Sequence, residues 1–422
     1  MKLRLPTPPD VRNKTVLVRV DFNVPLRHSA RGWQVSSDKR IRSSLKTIQF
    51  LLKNHAKVVL ISHLGRPKND TDKALSLRPV ADYVRAKYQL PIVFCPETTG
   101  EKATETVKNA DSGTIILLEN LRYHQGEKAN DPQFSRSLAK LADVYINEAF
   151  SASHRAHASI VGVTKYLPSF AGFTLSEEVS YLSKLVDHPK KPFVVVIGGA
   201  KISDKVGMLV HLSKLADLVL VGGACANTFL KAEGFEIYRS RVEEKDASGE
   251  VDYVKVARRL ISEYKTEKIL QDGFIPLPKL IYPIDVIAAP KLDTSARSQT
   301  RVIDLTTGMA DTQEDEQWLY LDIGPKTRKL YATLLSEAGS IFWNGPMGVW
   351  ENPLFATGTR VVSRAIVHSQ AYSVLGGGDT IAAAHHNHTE ARFSYVSAAG
   401  GAALEFLSGK ILPGLRPLLL PR

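Results

Sequence analysis

The chain has 422 residues, of which 44% are hydrophobic and 23% charged, and its formal net charge is +12. This length exceeds the size at which one hydrophobic core stops growing, so two domains of roughly 200 residues each are expected. No apolar stretch approaches the ~18 residues of a membrane helix, and residues 1–14 lack a hydrophobic signal core, so neither a membrane protein nor an exported one is expected. Two cysteines are too few for a disulfide framework, and we expect a cytoplasmic protein.

The basic charge has two interpretations, because it suits either nucleic acid or small anionic substrates. The sequence has no zinc-finger spacing, no aromatic motif of the ribonucleoprotein type and no long run of lysine and arginine. Its arginines lie inside motifs that follow predicted strands. This placement favours small anions over nucleic acid as the partner.

Short runs rich in Val, Ile or Leu alternate with longer amphipathic segments along the whole chain. The runs predict buried strands at residues 16–20, 58–62, 114–118, 193–197, 218–221, 340–343 and 373–375. The longer segments predict helices, with clear examples at residues 40–54, 80–88, 134–141 and 251–265. Strand–helix alternation of this length predicts an α/β fold, in which parallel sheets are flanked by helices.

A domain boundary is predicted near residues 173–192. Ser176 followed by Glu177 is typical of a helix start, and the amphipathic pattern continues to Val186. We interpret this segment as one helix joining two α/β domains, with an ordinary helix inside one domain as the alternative. The acidic stretch at residues 311–316 is predicted to be a solvated loop.

Charged and polar side chains follow successive predicted strands in the first half of the chain, and one starts a helix. The residues with this placement are Asp21, Asn23, Arg40, His63, Arg66, Arg122, His154, Arg155 and His157. The carboxyl ends of parallel strands are where α/β proteins bind ligands. Guanidinium groups match the geometry of phosphate and carboxylate, so the set predicts a site for an anion that carries both groups.

Alternatives to this interpretation remain for single residues. A lone arginine at a strand end is more often a surface residue. His154 and His157 could bind a metal, but no third ligand is evident nearby.

Glycine-rich turns follow the strands of the second half. Residues 196–205 run from a strand through Gly-Gly-Ala-Lys into a helix, where backbone N–H groups and Lys201 can face phosphate oxygens. Gly222 and Gly223 leave room for a flat ring beside the backbone. The turn at 376–380 adds a carboxylate suited to Mg²⁺ beside phosphates, and residues 397–402 open a helix whose positive end could face transferring charge.

These turns predict a nucleotide site, although a single glycine turn is structural more often than functional. The sequence contains neither a Walker A motif nor the dinucleotide pattern G-x-G-x-x-G. A nicotinamide enzyme is therefore the poorer alternative.

Taken in this order, the motifs resemble those of phosphoglycerate kinases over about residues 14–414. The most specific are Arg-Val-Asp-Phe-Asn-Val-Pro, Ser-His-Leu-Gly-Arg-Pro, His-Arg-Ala-His, Gly-Gly-Ala-Lys and Trp-Asn-Gly-Pro-Met-Gly-Val. The resemblance implies a monomeric kinase of glycolysis and gluconeogenesis, built of two Rossmann-like domains that close on a hinge. The implied segments are a glycerate-substrate domain at 1–173, a joining helix at 174–190, a nucleotide domain at 191–404 and a segment at 405–422 that returns to the first domain.

The resemblance also implies a role for each matching residue. The first domain would bind 3-phosphoglycerate or 1,3-bisphosphoglycerate through the anion-site residues named above, with Arg40 reaching the transferring phosphoryl group. The second domain would bind ADP or ATP with Mg²⁺ through Gly199, Ala200, Lys201, Lys205, Gly222, Gly223, Asn344, Pro346, Gly348, Val349, Glu351, Gly377, Gly378, Asp379 and Thr380. Glu351 would bind the ribose, and Asp379 would hold the metal. The catalytic set would be Arg40, Lys201, Gly377 and Gly400.

The sequence departs from the family pattern at several positions. Glu148 and Ser151 stand where the family usually has Asp and Gly, and Ala224 replaces a glycine. Ala398 and Ala399 replace a Thr-Gly pair in the hinge segment, which restricts the backbone there. The departures leave one alternative open, a weakened relative that binds nucleotide or glycerate as a regulator. Because the main charged residues remain, an active kinase without nucleic-acid or membrane partners is expected.

Overall fold

The structure is a computed structural model that describes residues 1–30, 32–68, 72–265, 277–306 and 317–420. The chain separates into two compact units, Met1–Ser180 with Ile411–Arg422, and Tyr181–Lys410. The domain limits drawn from the sequence stay predictions. The acidic stretch 311–316, predicted to be a loop, lies outside the described residues.

A parallel sheet forms the centre of the first unit. Its strands are β1 (Thr15–Arg19), β4 (Lys57–Ile61), β5 (Ile92–Cys95), β6 (Ile115–Leu118), β7 (Val144–Asn147) and β8 (Ser169–Ala171). They pair in the order β5-β6-β4-β1-β7-β8, and every pairing is parallel. Buried apolar side chains cover both faces of this sheet, which explains why its central strands read as continuous apolar runs.

An antiparallel hairpin of β2 (Leu26–Ser29) and β3 (Gly32–Val35) was not predicted from the sequence. Of its eight residues only Val35 is buried, so it lacks the apolar run that marks a buried strand.

Helices flank the sheet of the first unit. They are α1 (Pro8–Val11), α2 (Lys39–Lys53), α3 (Arg78–Tyr88), α4 (Glu101–Asn109), α5 (Gln125–Ala129) and α6 (Pro132–Ala139). A further helix, α7 (Phe173–Val186), begins in this unit. Shorter helical turns occur at Lys73–Leu75, Leu121–Tyr123, Phe150–Ala152, Ala158–Gly162, Val163–Lys165 and Arg416–Leu418.

Helix α7 begins three residues before the predicted start at Ser176. The backbone N–H of Phe173 donates to Thr47 Oγ1 at 3.0 Å, and that of Thr174 donates to Glu148 Oε1 at 3.1 Å. Both caps come from residues distant in sequence. A local start signal could not reveal them.

The second unit is built on another parallel sheet. Its strands are β9 (Phe193–Ile197), β10 (Leu218–Val221), β11 (Leu280–Ile281), β15 (Ser340–Asn344), β16 (Tyr372–Gly376) and β17 (Tyr395–Ser397), in the order β11-β10-β9-β15-β16-β17. A separate antiparallel sheet, in the order β13-β12-β14, contains β12 (Asp285–Ala289), β13 (Arg301–Asp304) and β14 (Leu319–Ile323). The sequence did not predict this smaller sheet.

Helices of the second unit follow most of its strands. They are α8 (Val206–Leu215), α9 (Gly223–Glu233), α10 (Tyr253–Tyr264), α11 (Pro325–Ser336), α12 (Thr357–His368), α13 (Gly378–His386) and α14 (Gly401–Leu407), with short turns at Arg297–Gln299 and Glu390–Arg392. The predicted α/β class, with a parallel sheet flanked by helices in each of two Rossmann-like domains, is confirmed.

The C-terminal residues from Ile411 onward belong to the first unit. Arg4 N donates to Leu418 O and Gly414 N donates to Ser153 O, each at 2.8 Å. Residues 421–422, the end of the predicted segment 405–422, lie outside the described part of the chain. Among the described helices, none combines the length and apolar character needed to span a membrane.

Candidate active site

The predicted anion-binding residues of the first unit lie at one edge of its sheet. Strands β6, β4, β1 and β7 are parallel neighbours, so the residues that follow them emerge on the same side. Arg40, at the start of α2, joins them by contacting residues that follow β1. The order of the strands therefore brings side chains from separate sequence motifs close together in one cluster.

Arg40 is held by the loop after β1. Its Nη1 lies 3.1 Å from Asp21 Oδ2 and 3.2 Å from Asp21 Oδ1, and it donates to the carbonyl of Asn23 at 3.0 Å. Asp21 also accepts a hydrogen bond from Ser151 Oγ. With its side chain 38% exposed, Arg40 keeps access to solvent while its direction is fixed.

His63 is buried within the cluster, and Arg19 Nη2 lies 2.9 Å from its Nδ1. Burial lowers the pKa of His63 far below its ordinary value, and the charges of Arg19, Arg122, Arg155 and Arg40 lower it further. The ring is therefore neutral, because both burial and the nearby cations disfavour its charged form.

Arg122 connects the loops after β6 and β4. It donates from Nη1 to the carbonyl of Gly65, whose N–H donates to Asn23 Oδ1 at 2.8 Å. Burial lowers the pKa of Arg122 to about 10, with further lowering from Arg155 and Arg19. Its buried Nε has no hydrogen-bond partner among the described residues. An anion at this position would relieve the repulsion and supply an acceptor.

The remaining predicted residues of this edge differ in their partners. Arg155 Nε donates to His154 Nε2 at 3.1 Å, whereas His157 Nδ1 lies 3.6 Å from the buried carboxylate of Glu127. Arg66 is exposed and is near enough to lower the pKa of Arg122. Within the described residues, no group of three or more His, Cys, Asp or Glu side chains is placed to hold a metal.

The glycine turns of the second unit meet at the carboxyl edge of its sheet. Gly199 N donates to the carbonyl of Pro346 at 2.7 Å, which joins the turn after β9 to the turn after β15. Gly345 has φ +100, and a Cβ there would lie 2.1 Å from the carbonyl oxygen of Gly198. Only glycine permits both this backbone conformation and this close approach.

A third turn is tied to the same place. Thr380 Oγ1, in the first turn of α13, accepts a hydrogen bond from Gly345 N at 2.7 Å. Asn344 is buried beside it, with Nδ2 at 2.9 Å from where a Cβ of Gly377 would stand. The turns after β9, β15 and β16 thus support one another.

These turns border a cavity of about 480 Å³. The predicted residues that line it are Gly199, Ala200, Gly223, Pro346, Gly348, Val349, Glu351 and Asp379. The predicted residues outside its lining are Lys201, Lys205, Gly222, Asn344, Gly377, Gly378, Thr380 and Gly400.

The two lysines lie on the segment between β9 and α8. Lys201 is exposed, and Lys205 Nζ donates to the Lys201 carbonyl at 3.3 Å. Gly222 lies behind the lining against Met347, and Gly400, with φ +56, precedes α14.

Sequence reasoning missed Asp322, which lines the cavity from β14. Burial raises its pKa to about 7, opposed by the charge of Arg328, whose Nη2 lies 3.0 Å from its Oδ2. It also missed Arg19 and Glu127, both buried at the edge of the first unit. A single charged residue inside an apolar strand run, as at positions 19 and 322, was the available signal.

Comparison with known proteins decides the family. The family model described as phosphoglycerate kinase matches residues 7–410. The chain belongs to the phosphoglycerate kinase family. It is 42% identical over 409 residues to the phosphoglycerate kinase of Pseudothermotoga lettingae, covering 97% of this chain and 96% of that relative. It is also 42% identical over 420 residues to the enzyme of Coprothermobacter proteolyticus, covering 100% of each chain.

Solved structures agree with this assignment. The structure of phosphoglycerate kinase from Coxiella burnetii superimposes with a TM-score of 0.81 at 36% identity, covering 97% of this chain and 96% of that one. The resemblance inferred from the sequence motifs is therefore confirmed. As a member of this family, the chain is a phosphotransferase with a carboxyl group as acceptor.

Proposed function

We propose that this chain transfers a phosphoryl group reversibly between 1,3-bisphosphoglycerate and ADP, yielding 3-phosphoglycerate and ATP. The observation that supports it best is the cationic edge of the first unit, where burial and then the charges of neighbouring arginines lower the pKa of both Arg122 and His63. Holding like charges this close is costly unless an anion binds among them. A glycerate carrying phosphate and carboxylate supplies two such groups.

The proposed glycerate site comprises Asp21, Asn23, Arg40, His63, Arg66, Arg122, His154, Arg155 and His157. Arg122, Arg155 and Arg66 supply positive charge, while Asp21 and Asn23 orient Arg40. Because Arg40 is both partly exposed and fixed in direction, we assign it to the transferring phosphoryl group.

The proposed nucleotide site is the cavity of the second unit. Gly223, Val349 and Glu351 line this cavity. By the family resemblance, Glu351 would bind the ribose and the turn at Gly377–Thr380 the phosphates, with Lys201 and Lys205 adding charge. Asp379 is an exposed carboxylate in the first turn of α13 and lines the cavity. Mg²⁺ bound to nucleotide phosphates typically takes only one or two protein carboxylates, so this chemistry fits without an acidic cluster.

Transfer requires charge and alignment rather than a general base. The acceptor carboxylate has an ordinary pKa of roughly 3.5, so it is ionised near pH 7. Arg40 and Lys201 would offset the charge spread over the moving phosphoryl group, assisted by backbone N–H groups at Gly377 and Gly400. When bound, Mg²⁺ would neutralise part of the charge on the nucleotide phosphates.

A coupled spectrophotometric assay with 3-phosphoglycerate and MgATP tests the proposal. We expect turnover that depends on both substrates, and loss of turnover by orders of magnitude in Arg40→Ala with unchanged affinity for MgADP. Binding of either ligand without turnover in the unmodified protein would instead support the regulator alternative. The family resemblance further supports a cytoplasmic location and a monomeric state. Sedimentation of the purified chain would check that it is a monomer.

A further inference from the structure

Two charged side chains are buried beneath the proposed glycerate site. Arg19, the last residue of β1, is 1% exposed, and Glu127, in α5, is 0% exposed. Ser159 joins them, because its Oγ accepts from Arg19 Nε at 3.0 Å and donates to Glu127 Oε1 at 2.7 Å. Ser159 N also donates to Glu127 Oε2 at 3.0 Å. Buried charges held in this way have little freedom to reorient.

This chain of hydrogen bonds ends at His63. Arg19 Nη2 lies 2.9 Å from His63 Nδ1, and Arg19 also donates to the carbonyl of Val20. A guanidinium group can donate hydrogen bonds but cannot accept them. Nδ1 must therefore accept, and the neutral ring carries its proton on Nε2.

We infer that Arg19, held by Glu127 through Ser159, is a positioning residue that fixes His63 as the neutral, Nε2-protonated tautomer. The inference rests on the proposed function, because His63 belongs to the proposed glycerate site. In this state Nε2 is a hydrogen-bond donor and cannot be an acceptor. A carboxylate or phosphate oxygen of the substrate can accept this hydrogen bond. The ring then serves as a hydrogen-bond donor that pH does not switch.

Four arginines from different elements favour this state of His63. Arg19 comes from β1, Arg40 from α2, Arg122 from the turn after β6 and Arg155 from the segment after β7. Each disfavours an imidazolium ring, as does burial. Glu127 has its own partners, Ser159 and His157, so it acts on His63 only by holding Arg19.

Nitrogen NMR of the full chain labelled with ¹⁵N-histidine tests the tautomer directly. The His63 signals would be assigned by their loss in His63→Gln. We expect an unprotonated Nδ1 and a protonated Nε2 throughout roughly pH 5.5 to 8. A proton on Nδ1, or titration near the ordinary value of about 6.5, would overturn the inference. Because the spectrum needs no turnover, this result is independent of whether the proposed function holds.

Kinetics of Arg19→Met separate positioning from general structural support. The variant lacks the donor to Nδ1, so the tautomer of His63 is no longer fixed, while burial and the charges of Arg122, Arg155 and Arg40 still keep the ring neutral. We expect the KM for 3-phosphoglycerate to rise roughly ten-fold at pH 8. The ratio of this KM to that of the unmodified enzyme should stay the same toward pH 6, because the ring is neutral in both proteins. The substrate phosphate titrates in this range, with a pKa of about 6. Its effect is the same on both KM values and therefore cancels in their ratio.

Further variants complete the kinetic test. Arg19→Lys keeps a charge and a donor for Nδ1, so its KM should stay nearer to that of the unmodified enzyme. In a His63→Gln background, Arg19→Met should raise the KM far less, because no ring remains to be oriented. Arg360→Met, an exposed arginine on α12, is the matched control and should behave like the unmodified enzyme. An equal rise in KM with and without His63 would contradict the inference, and if Arg19→Met does not fold, the NMR result decides.

Discussion

Replacing Glu148 by glutamine should make the enzyme more stable at high pH and have much less effect at low pH. Glu148 is 5% exposed, and its Oε1 accepts hydrogen bonds from Thr47 Oγ1 at 2.9 Å and Thr174 N at 3.1 Å. Its Oε2 is buried with no hydrogen-bond partner among the described residues. The carboxylate therefore loses its hydrogen bonds to water on folding, and hydrogen bonds within the protein replace only part of them.

The magnitude follows from the pKa of Glu148, which burial raises from 4.5 to about 7 against the hydrogen bonds from Thr174 and Thr47. A raised carboxyl pKa means that the folded state holds a proton that the unfolded state releases as pH rises above 4.5. Stability therefore falls between these two pKa values and levels off above pH 7. The difference corresponds to about 3 kcal/mol, most of it lost between pH 5 and 7.

Glutamine keeps the carbonyl acceptor but cannot ionise. Denaturant unfolding of Glu148→Gln and the unmodified enzyme should show a free-energy difference that moves in favour of the variant by about 2–3 kcal/mol from pH 5 to pH 8. If packing around the new side chain changes the free energy of unfolding by an amount that does not depend on pH, that change cancels in this comparison. A difference that does not change with pH would refute the reasoning.

Glu127 provides the matched control, because it is equally buried but fully hydrogen-bonded. Burial alone would raise its pKa, but bonds from His157 and Ser159 and the charge of Arg19 hold the pKa below its ordinary value. A lowered carboxyl pKa contributes stability above the unfolded value, which is lost as pH falls. Glu127→Gln should therefore lose stability at pH 8, the opposite sign to Glu148→Gln.

The remaining predictions concern the transfer step and the glycine turns. Lys201→Ala should reduce turnover strongly because it removes charge from the phosphate turn, and near-normal activity would remove Lys201 from the mechanism. Gly345→Ala should lower stability by more than about 1 kcal/mol and raise the KM for nucleotide, since φ +100 and the nearby Gly198 carbonyl exclude a side chain. Gly207→Ala, in helix α8 with only a 3.9 Å contact, is the control and should leave thermal stability equal or higher.

Much of the fold could be predicted because the central strands of both parallel sheets are buried on both faces. Strand β9, for example, is buried at every position, so its sequence is a continuous apolar run. Strands β2 and β13 have only one buried residue between them, Ile303, and carry no such signal. The start of α7 was missed because its caps come from Thr47 and Glu148, which only the folded chain brings near.

The same contrast holds for the proposed site. Motifs at strand ends indicated Arg122 and Gly199, since parallel strands place their carboxyl ends together. No local pattern could show that Ser159 links Arg19 to Glu127, because these hydrogen bonds join residues far apart in sequence. Asp322 was hidden for a related reason, since its place beside Gly348 depends on the small antiparallel sheet.

The most direct measurement follows labelled phosphate from [γ-³²P]ATP in the presence of Mg²⁺ and 3-phosphoglycerate. If the cationic edge binds the glycerate as acceptor, the label should appear in an acyl phosphate that hydroxylamine cleaves, and Arg40→Ala should abolish it. Label released only as inorganic phosphate, or retained entirely in ATP, would contradict the proposed reaction.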